Sequence, residues 1–402
     1  MSRLGATFVT VAVSLLWLQC GSSDEPKSRT EPVSDREEKT GSMKQIFATY
    51  FADYGRTCCV PVPLDLQGSV EWSAELNPTA DSAPRAILLM AGIVLVESAR
   101  TVSAFTDSGR AVWQVNKTDN GAVGVFGGTL YYQDEKFRLS GASLRGEKVL
   151  DATYLPDAMD DRFPIRLFAP RQNDFLTVIQ FTGGPQEHPT WVKTELTTYG
   201  KRTSEWVVKN DGVLQKLALF AEDANLVILP MNELIWVDAT TGKEKQRAAY
   251  PLNEVGCCCA GSDGTLYVAG GHEGKESLVA LDAGGRELWR WQDAEDGGKI
   301  ECRQPPVLDA DGRVYLTTAK SLVAIQKGEL VWRHEVEDGP ILCATGFRGG
   351  VLFATAGMLY RADSEGNATA VLKLSEVLQA PPTVTLDGDV YLLSARQLMK
   401  IR

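Results

Sequence analysis

Apolar and polar residues alternate in short runs along most of this chain, and the runs are separated by glycine turns. The clearest unit, PPVLDADGRVYLTTAKSLVAIQKGELVWRHEV at residues 305 to 336, has an Asp311-Gly312 turn between two alternating β-runs. A second turn at Lys327-Gly328 leads to a run holding Trp332. The same order recurs upstream in GSDGTLYVAGGHEGKESLVALDAGGRELWRW and downstream in TLDGDVYLLSARQLMKIR, which stops after its third run. Each unit reads as four short strands, and no run has the length or period of a core helix.

The glycine that opens the last run of each unit recurs as Gly68, Gly109, Gly146, Gly200, Gly242, Gly285, Gly328 and Gly366. The spacing is 37 to 43 residues except for 54 between Gly146 and Gly200, so eight units are expected, one with an insertion. FTGGPQEHPTW fits that insertion as a surface loop and makes Trp191 a candidate exposed contact. The first repeat element is a lone last strand, GSVEWSAEL at residues 68 to 76, while the final unit lacks one. The two ends are expected to complete one four-stranded sheet, which removes free edges. The predicted fold is all-β: an eight-bladed propeller over residues 65–402, closed by the strand near 68–76 and the strands near 375–402.

Runs of the VYL and LYV kind, followed by LVALD or LVAI, a glycine turn, and ELW or LVW, resemble the PQQ-like β-propeller repeat. The resemblance implies that the last-strand tryptophan locks adjacent blades, and Trp72, Trp113, Trp206, Trp289 and Trp332 are assigned that structural role. Trp236 falls outside the register. Two branches of the family imply different functions. Quinoprotein dehydrogenases hold pyrroloquinoline quinone and calcium in a central funnel, beside two adjacent cysteines joined as a disulfide. Non-catalytic propellers include the lipoprotein subunit of the outer-membrane β-barrel assembly machinery.

The chain offers Cys58-Cys59 and Cys257-Cys258-Cys259 to the first branch, but the former precedes the repeats and the latter begins an inner strand. No spaced set of Glu, Asn and Asp presents itself for calcium, so neither cofactor nor catalytic residue is assigned. Besides Cys20, seven cysteines leave one odd, and Cys257 and Cys343 are expected to pack in the core. His188, His272 and His334 are scattered without a metal-ligand spacing, and no G-x-S-x-G turn is present. Gly127-Gly128, Gly270-Gly271 and Gly349-Gly350 read as turns, because no helix follows them to bind phosphate.

Residues 1–19 read as a secretory signal peptide: Arg3, then the apolar GATFVTVAVSLLWL, then Cys20. Cys20 followed by a polar linker resembles a bacterial lipoprotein, although Leu18 and Gln19 stand where small residues are usual. The linker over 20–44 is too polar to bury a core and is expected to be disordered. The segment 45–64 follows, with Ile46, Phe47, Tyr50, Phe51 and Tyr54 at helix-compatible spacing. Losing Arg3 with the leader takes the net charge from −11 to −12, which disfavours nucleic acid as a partner. The expected role is a non-enzymatic envelope scaffold, lipid-anchored at the periplasmic face and contacting other envelope proteins. The alternatives are a PQQ-dependent dehydrogenase-like protein or a small-ligand-binding funnel.

Overall fold

The computed structural model describes most of residues 59–402, with its longest breaks at 77–82, 151–164, 183–189 and 294–304; between 165 and 232 the backbone of the strands is described. The described strands form eight sheets. In chain order they occupy residues 84–116, 123–150, 165–209, 214–249, 254–292, 307–335, 343–373 and 383–401. They are named sheets 1 to 8 below. Within each, consecutive strands pair as an antiparallel meander, so hydrogen bonding stays local to one repeat. No helix occurs among the described residues.

The turns explain why so short a repeat suffices. At Asp282 the carboxylate Oδ1 accepts from the amides of Gly284 and Arg286, both at 2.9 Å, while the Gly285 amide donates to the Asp282 carbonyl at 2.8 Å. Asp309 and Asp363 repeat the arrangement, and Ser143 substitutes its hydroxyl for the carboxylate. The fourth turn residue is a glycine in the left-handed region, as at Gly285 (φ 72°), which no side chain with a Cβ enters without strain. Lys327 and Gly328 both have positive φ, the two-residue hairpin that matches strand twist.

Sheet 8 contains three strands from the C-terminus and, as its outer strand, Val70–Glu75 from the N-terminal side. Val70–Glu75 runs antiparallel to Gln397–Ile401, so the expected joining of the two ends is realised. Ahead of it, Cys59–Val60 pairs in parallel with Cys343–Phe347, the first strand of sheet 7, as a fifth strand on that sheet. The segment 59–66 therefore leads from the first-strand edge of sheet 7 to the outer edge of sheet 8.

Val60 and Leu64 are buried in one cluster with Phe347, Leu352 and Leu359 of sheet 7 and Val384, Val390 and Ile401 of sheet 8. Arg348 donates its amide to the Val62 carbonyl at 3.0 Å. Pro61 and Pro63 lock φ and carry no amide proton, which suits an extended strap that needs few ladder bonds. The last residues of the segment 45–64, which the sequence sets ahead of the repeats, form part of the packing between two sheets. Leu64→Ala is expected to lower stability by about 3 kcal/mol, the usual cost of truncating a buried leucine. The denaturant midpoint measures it, with half-buried Val62→Ala as the milder comparison.

Candidate functional site

The VYL, LVAI and LVW runs of one repeat form a single row across three strands. In sheet 6, Tyr315 pairs with Ala324, and Ala324 pairs with Trp332. The alanine is small enough for the rings on either side to lean together across it, with centroids 5.7 Å apart at 46°. Tyr267, Ala280 and Trp289 form the same row in sheet 5, with rings 5.9 Å apart. Leu95, Ala104 and Trp113 occupy it in sheet 1. A β-bulge sits beside each of these tryptophans, where the outer strand carries one extra residue.

Each such tryptophan reaches the neighbouring sheet. A Cβ placed on Gly109 would lie 2.6 Å from the Trp72 ring, one on Gly146 2.6 Å from Trp113, one on Gly328 3.1 Å from Trp289, and one on Gly366 2.7 Å from Trp332. The indole N–H of Trp72 donates to the Asp107 carbonyl at 2.6 Å, that of Trp113 to Leu144 at 2.8 Å, and that of Trp332 to Ser364 at 3.2 Å. Every accepting carbonyl lies two residues before the contacted glycine. The glycine is thus required twice, for its positive φ and for the space its missing side chain leaves to the ring.

Trp236 is the functional aromatic that the register of the tryptophans hid. It stands on the third strand of sheet 4, opposite Gln246, which takes the outer-strand place. It is 2% exposed, and its ring lies where a Cβ on Gly285 would meet it at 2.9 Å. Gln246 donates its amide to the Gly284 carbonyl in place of an indole. The visible signal was Gln246 itself, four residues after Gly242 just as Trp332 follows Gly328.

The register gives two of the singled-out tryptophans their places in sheet 3. Trp206 lies on the outer strand Arg202–Lys209 but pairs with Lys193, while the bulge falls beside the Glu195–Ser204 pair. Ser204 therefore holds the row position of sheet 3, and Trp206 is two residues beyond it; the four-residue spacing from Gly200 wins over residue type. Trp191 lies within the strand Thr190–Thr197, paired with Phe181 and Val208, and not in the preceding loop. Residues 183–189 of that loop lie outside the described residues.

Where sheet 8 closes on sheet 1, the row changes character. Its third-strand position is Lys400, between Tyr391 and Trp72, in place of alanine. The ammonium lies 3.0 Å from Asp107, 3.1 Å from Asp389 and 3.6 Å from Glu71, with the side chain 4% exposed. Tyr391 donates its hydroxyl to Asp107 at 2.9 Å, and Arg402 bridges to Glu71 at 2.8 Å. Desolvation pushes Asp107 upward, but hydrogen bonds from Lys400 and Tyr391 outweigh it and hold the carboxyl below the ordinary value. Burial works against the Lys400 charge too, and its bonds to Asp107 and Asp389 overcome that and raise it.

Other buried charges serve the opposite ends of the strands. The Lys117 ammonium bonds the Ala99 carbonyl at 3.1 Å, the Gly121 carbonyl at 2.7 Å and Glu97 at 3.2 Å. Desolvation pushes Glu97 up and Lys117 down, with their attraction opposing both shifts. Asp293, 1% exposed, takes Arg333 of the next sheet on both oxygens at 2.8 Å. Lys117 and Asp293 each follow their row tryptophan by four residues, a place filled by buried Leu374 in sheet 7. These charges hold chain segments in place.

Cys258, Cys259 and Cys343 are buried, and burial pushes the Cys343 thiol up to about 12. Cys257 is half-buried, short of the core place expected for it, while Cys258 and Cys259 beside it are buried. The quinoprotein resemblance implies a bonded adjacent pair; Cys257, Cys258 and Cys259 stand in succession on the strand Glu254–Ala260, and Cys58 lies outside the described residues. Among the described residues no cluster of three His, Cys, Asp or Glu side chains is arranged to hold a metal. His272 is half-buried at a hairpin end, and the His334 ring packs 5.8 Å from Phe353.

Among solved structures, quinohemoprotein alcohol dehydrogenase from Comamonas testosteroni aligns with a TM-score of 0.60 at 13% identity, covering 88% of this chain and 79% of that one. BamB from Moraxella catarrhalis aligns at 0.54 and 16%, covering 83% of this chain and 96% of the other. The Dos1 propeller aligns at 0.59 and 8%, covering 81% and 94%. The fold is a β-propeller. No family model and no curated protein matches the sequence. The sheets are the propeller's blades, and the tryptophan rows are its blade-to-blade contacts.

Two outcomes follow for the propeller. Gly109→Ala and Gly312→Ala both force a Cβ into positive φ, but only Gly109 faces a ring, since nothing lies within 4 Å of Gly312. Gly312→Ala should cost about 1 kcal/mol and Gly109→Ala roughly 1–3 kcal/mol more, read by chemical denaturation. Asp107→Asn tests the closing contact. Because the folded carboxyl titrates below its unfolded value, its stabilisation is present above pH ~4 and lost as pH falls through the lower folded value. The gap in melting temperature between wild type and D107N should therefore shrink from pH 6 to pH 3.

Proposed function

We propose that this protein is a non-enzymatic interaction propeller of the bacterial cell envelope. In this reading the eight sheets are its full set of blades, residues 1–19 are a signal peptide, and Cys20 carries a lipid. The linker 20–44 then holds the propeller at the periplasmic face of the membrane, the outer membrane in the specific version. The observation that carries the reading is where the charged and aromatic chemistry is spent. Lys400, Lys117, Asp293 and the row tryptophans are engaged within or between blades. What remains for partners is the loops on rigid blades, an arrangement suited to docking proteins.

The similarity to BamB, extending over nearly all of that chain, supports a scaffold in outer-membrane protein assembly. The neighbourhood of Trp191 is the first surface to test for partner contact. The quinohemoprotein neighbours favour the second reading, a PQQ-dependent dehydrogenase-like or small-ligand funnel.

In-cell cross-linking of the intact protein, followed by identification of partners in membrane fractions, is expected to recover envelope proteins, with barrel-assembly components supporting the specific version. Dye reduction after reconstitution with pyrroloquinoline quinone and calcium, with no partner recovered, would overturn the scaffold reading. Cys20→Ala should move the protein from the membrane to the soluble fraction. Unchanged membrane association would remove the lipid anchor from the proposal.

A further inference from the structure

Within every meander the strands follow one another through turns, but Val70–Glu75 is joined to Gln397–Ile401 by hydrogen bonds and side chains alone. Ser69 and Arg402 exchange backbone bonds at 3.1 and 3.0 Å, and the Leu76 amide donates to the Arg396 carbonyl at 2.7 Å. The strand is thinly covered, with every residue exposed or half-buried. Its hold on sheet 8 therefore leans on the side chains gathered at Lys400.

Among the described residues, the polar partners of the Lys400 ammonium are three carboxylates on three elements: Glu71 on the N-terminal strand, Asp389 in the turn before Val390–Leu393, and Asp107 in the last turn of sheet 1. Tyr391 faces the ammonium from the second strand of sheet 8, with its hydroxyl on Asp107, and Arg402 lies on Glu71. The Lys400 side chain is 4% exposed, but those of Glu71, Asp389 and Asp107 are 31%, 24% and 54% exposed. Protons thus reach the acids while the strand is in place, whereas water reaches the ammonium only when the strand leaves. Lys117 and Arg333 are held differently. Lys117 keeps the Ala99 and Gly121 carbonyls whatever the charge on Glu97, and Arg333 lies against an Asp293 carboxylate buried with it.

Acid removes the negative charge around Lys400 and leaves the positive charge, and a buried ammonium without a counter-charge is strongly destabilising. Lifting one strand hydrates it and leaves the other three strands of sheet 8 paired. We propose that the closing strand is an acid-released latch: as the carboxylates around Lys400 take up protons, Val70–Glu75 detaches from Gln397–Ile401 while the blades stay folded. The opened sheet 8 then presents Gln397–Ile401 as a free edge. Desolvation raises Asp107, but the hydrogen bonds from Lys400 and Tyr391 outweigh it and hold the folded carboxyl below its ordinary value. Its share of the contact is therefore complete above pH ~4 and lost as pH falls through that lower value. The inference is independent of the envelope role.

Hydrogen exchange with mass spectrometry on the full chain, stepped from pH 7 to pH 3 and expressed as protection relative to the free peptide at each pH, tests the latch. Protection of the Val70–Glu75 amides should fall at least tenfold more than that of Gly350–Ala354 in sheet 7. Lys400→Met should reverse the trend, because the three carboxylates then face one another without the ammonium, and acid relieves their repulsion. Should that variant not fold, Asp107→Asn serves in its place and should lower protection of Val70–Glu75 at least threefold already at pH 7, with Gly350–Ala354 unchanged. Three results would overturn the proposal: protection lost at Val70–Glu75 and Gly350–Ala354 together, protection at Val70–Glu75 indifferent to acid, or the same acid loss in Lys400→Met as in the wild type.

Discussion

A tryptophan on one blade lying against a glycine turn on the next is the contact on which this architecture depends. A four-stranded meander satisfies its own backbone but leaves two apolar faces, and neither can be covered from within the same repeat. The indole supplies both things the seam requires: area to bury and one N–H whose direction fixes the neighbour's turn. The glycine supplies the complementary absence. Neither residue is useful without the other, so the repeat is better described as the pair than as either motif alone.

The seams vary around this pair in an ordered way. In sheet 4 the ring moves to the third strand and a glutamine takes the turn carbonyl. In sheet 7 the outer position is Ala370, the aromatic is Tyr360 on the third strand, and Gly68 approaches the Val371 carbonyl directly. At the closing seam an alanine becomes Lys400 and the contact becomes ionic. A nearly buried ammonium surrounded by three carboxylates and a tyrosine hydroxyl is costly to desolvate and strongly dependent on geometry. Such a contact selects one pairing of the chain ends over sliding alternatives.

Much of the fold was legible because turn chemistry and a two-residue alternation repeat: Asp311-Gly312, Lys327-Gly328 and the anchor glycines mark the strand ends. The pairing of Val70–Glu75 with the C-terminal strands followed from counting strands at each end. What was hidden depended on cross-strand neighbours. Trp206 has the right residue type two positions from the row, and Trp236 has the right role on the adjacent strand; only the position of the bulge separates them. Trp191 looked like part of a loop because glycine and proline precede it, yet pairing with Phe181 and Val208 draws it into the sheet. The strap at 59–66 was illegible for a different reason, since VPVPL carries no period and its cover comes from residues about 300 positions away.

That separation sets an order of events for a ribosome-made chain. Lys400 and Asp107 are 293 residues apart, and the strand beginning at Val70 is made long before its partner Gln397–Ile401. Six residues of β-prone edge must therefore wait through the synthesis of every intervening repeat before they are covered. Blades can form one after another as each meander is completed, but the ring cannot. Pairing between distant segments forms slowly and an uncovered edge strand templates aggregation, so a partner that shields Val70–Glu75 during that interval would protect this protein more than one that helps any single blade.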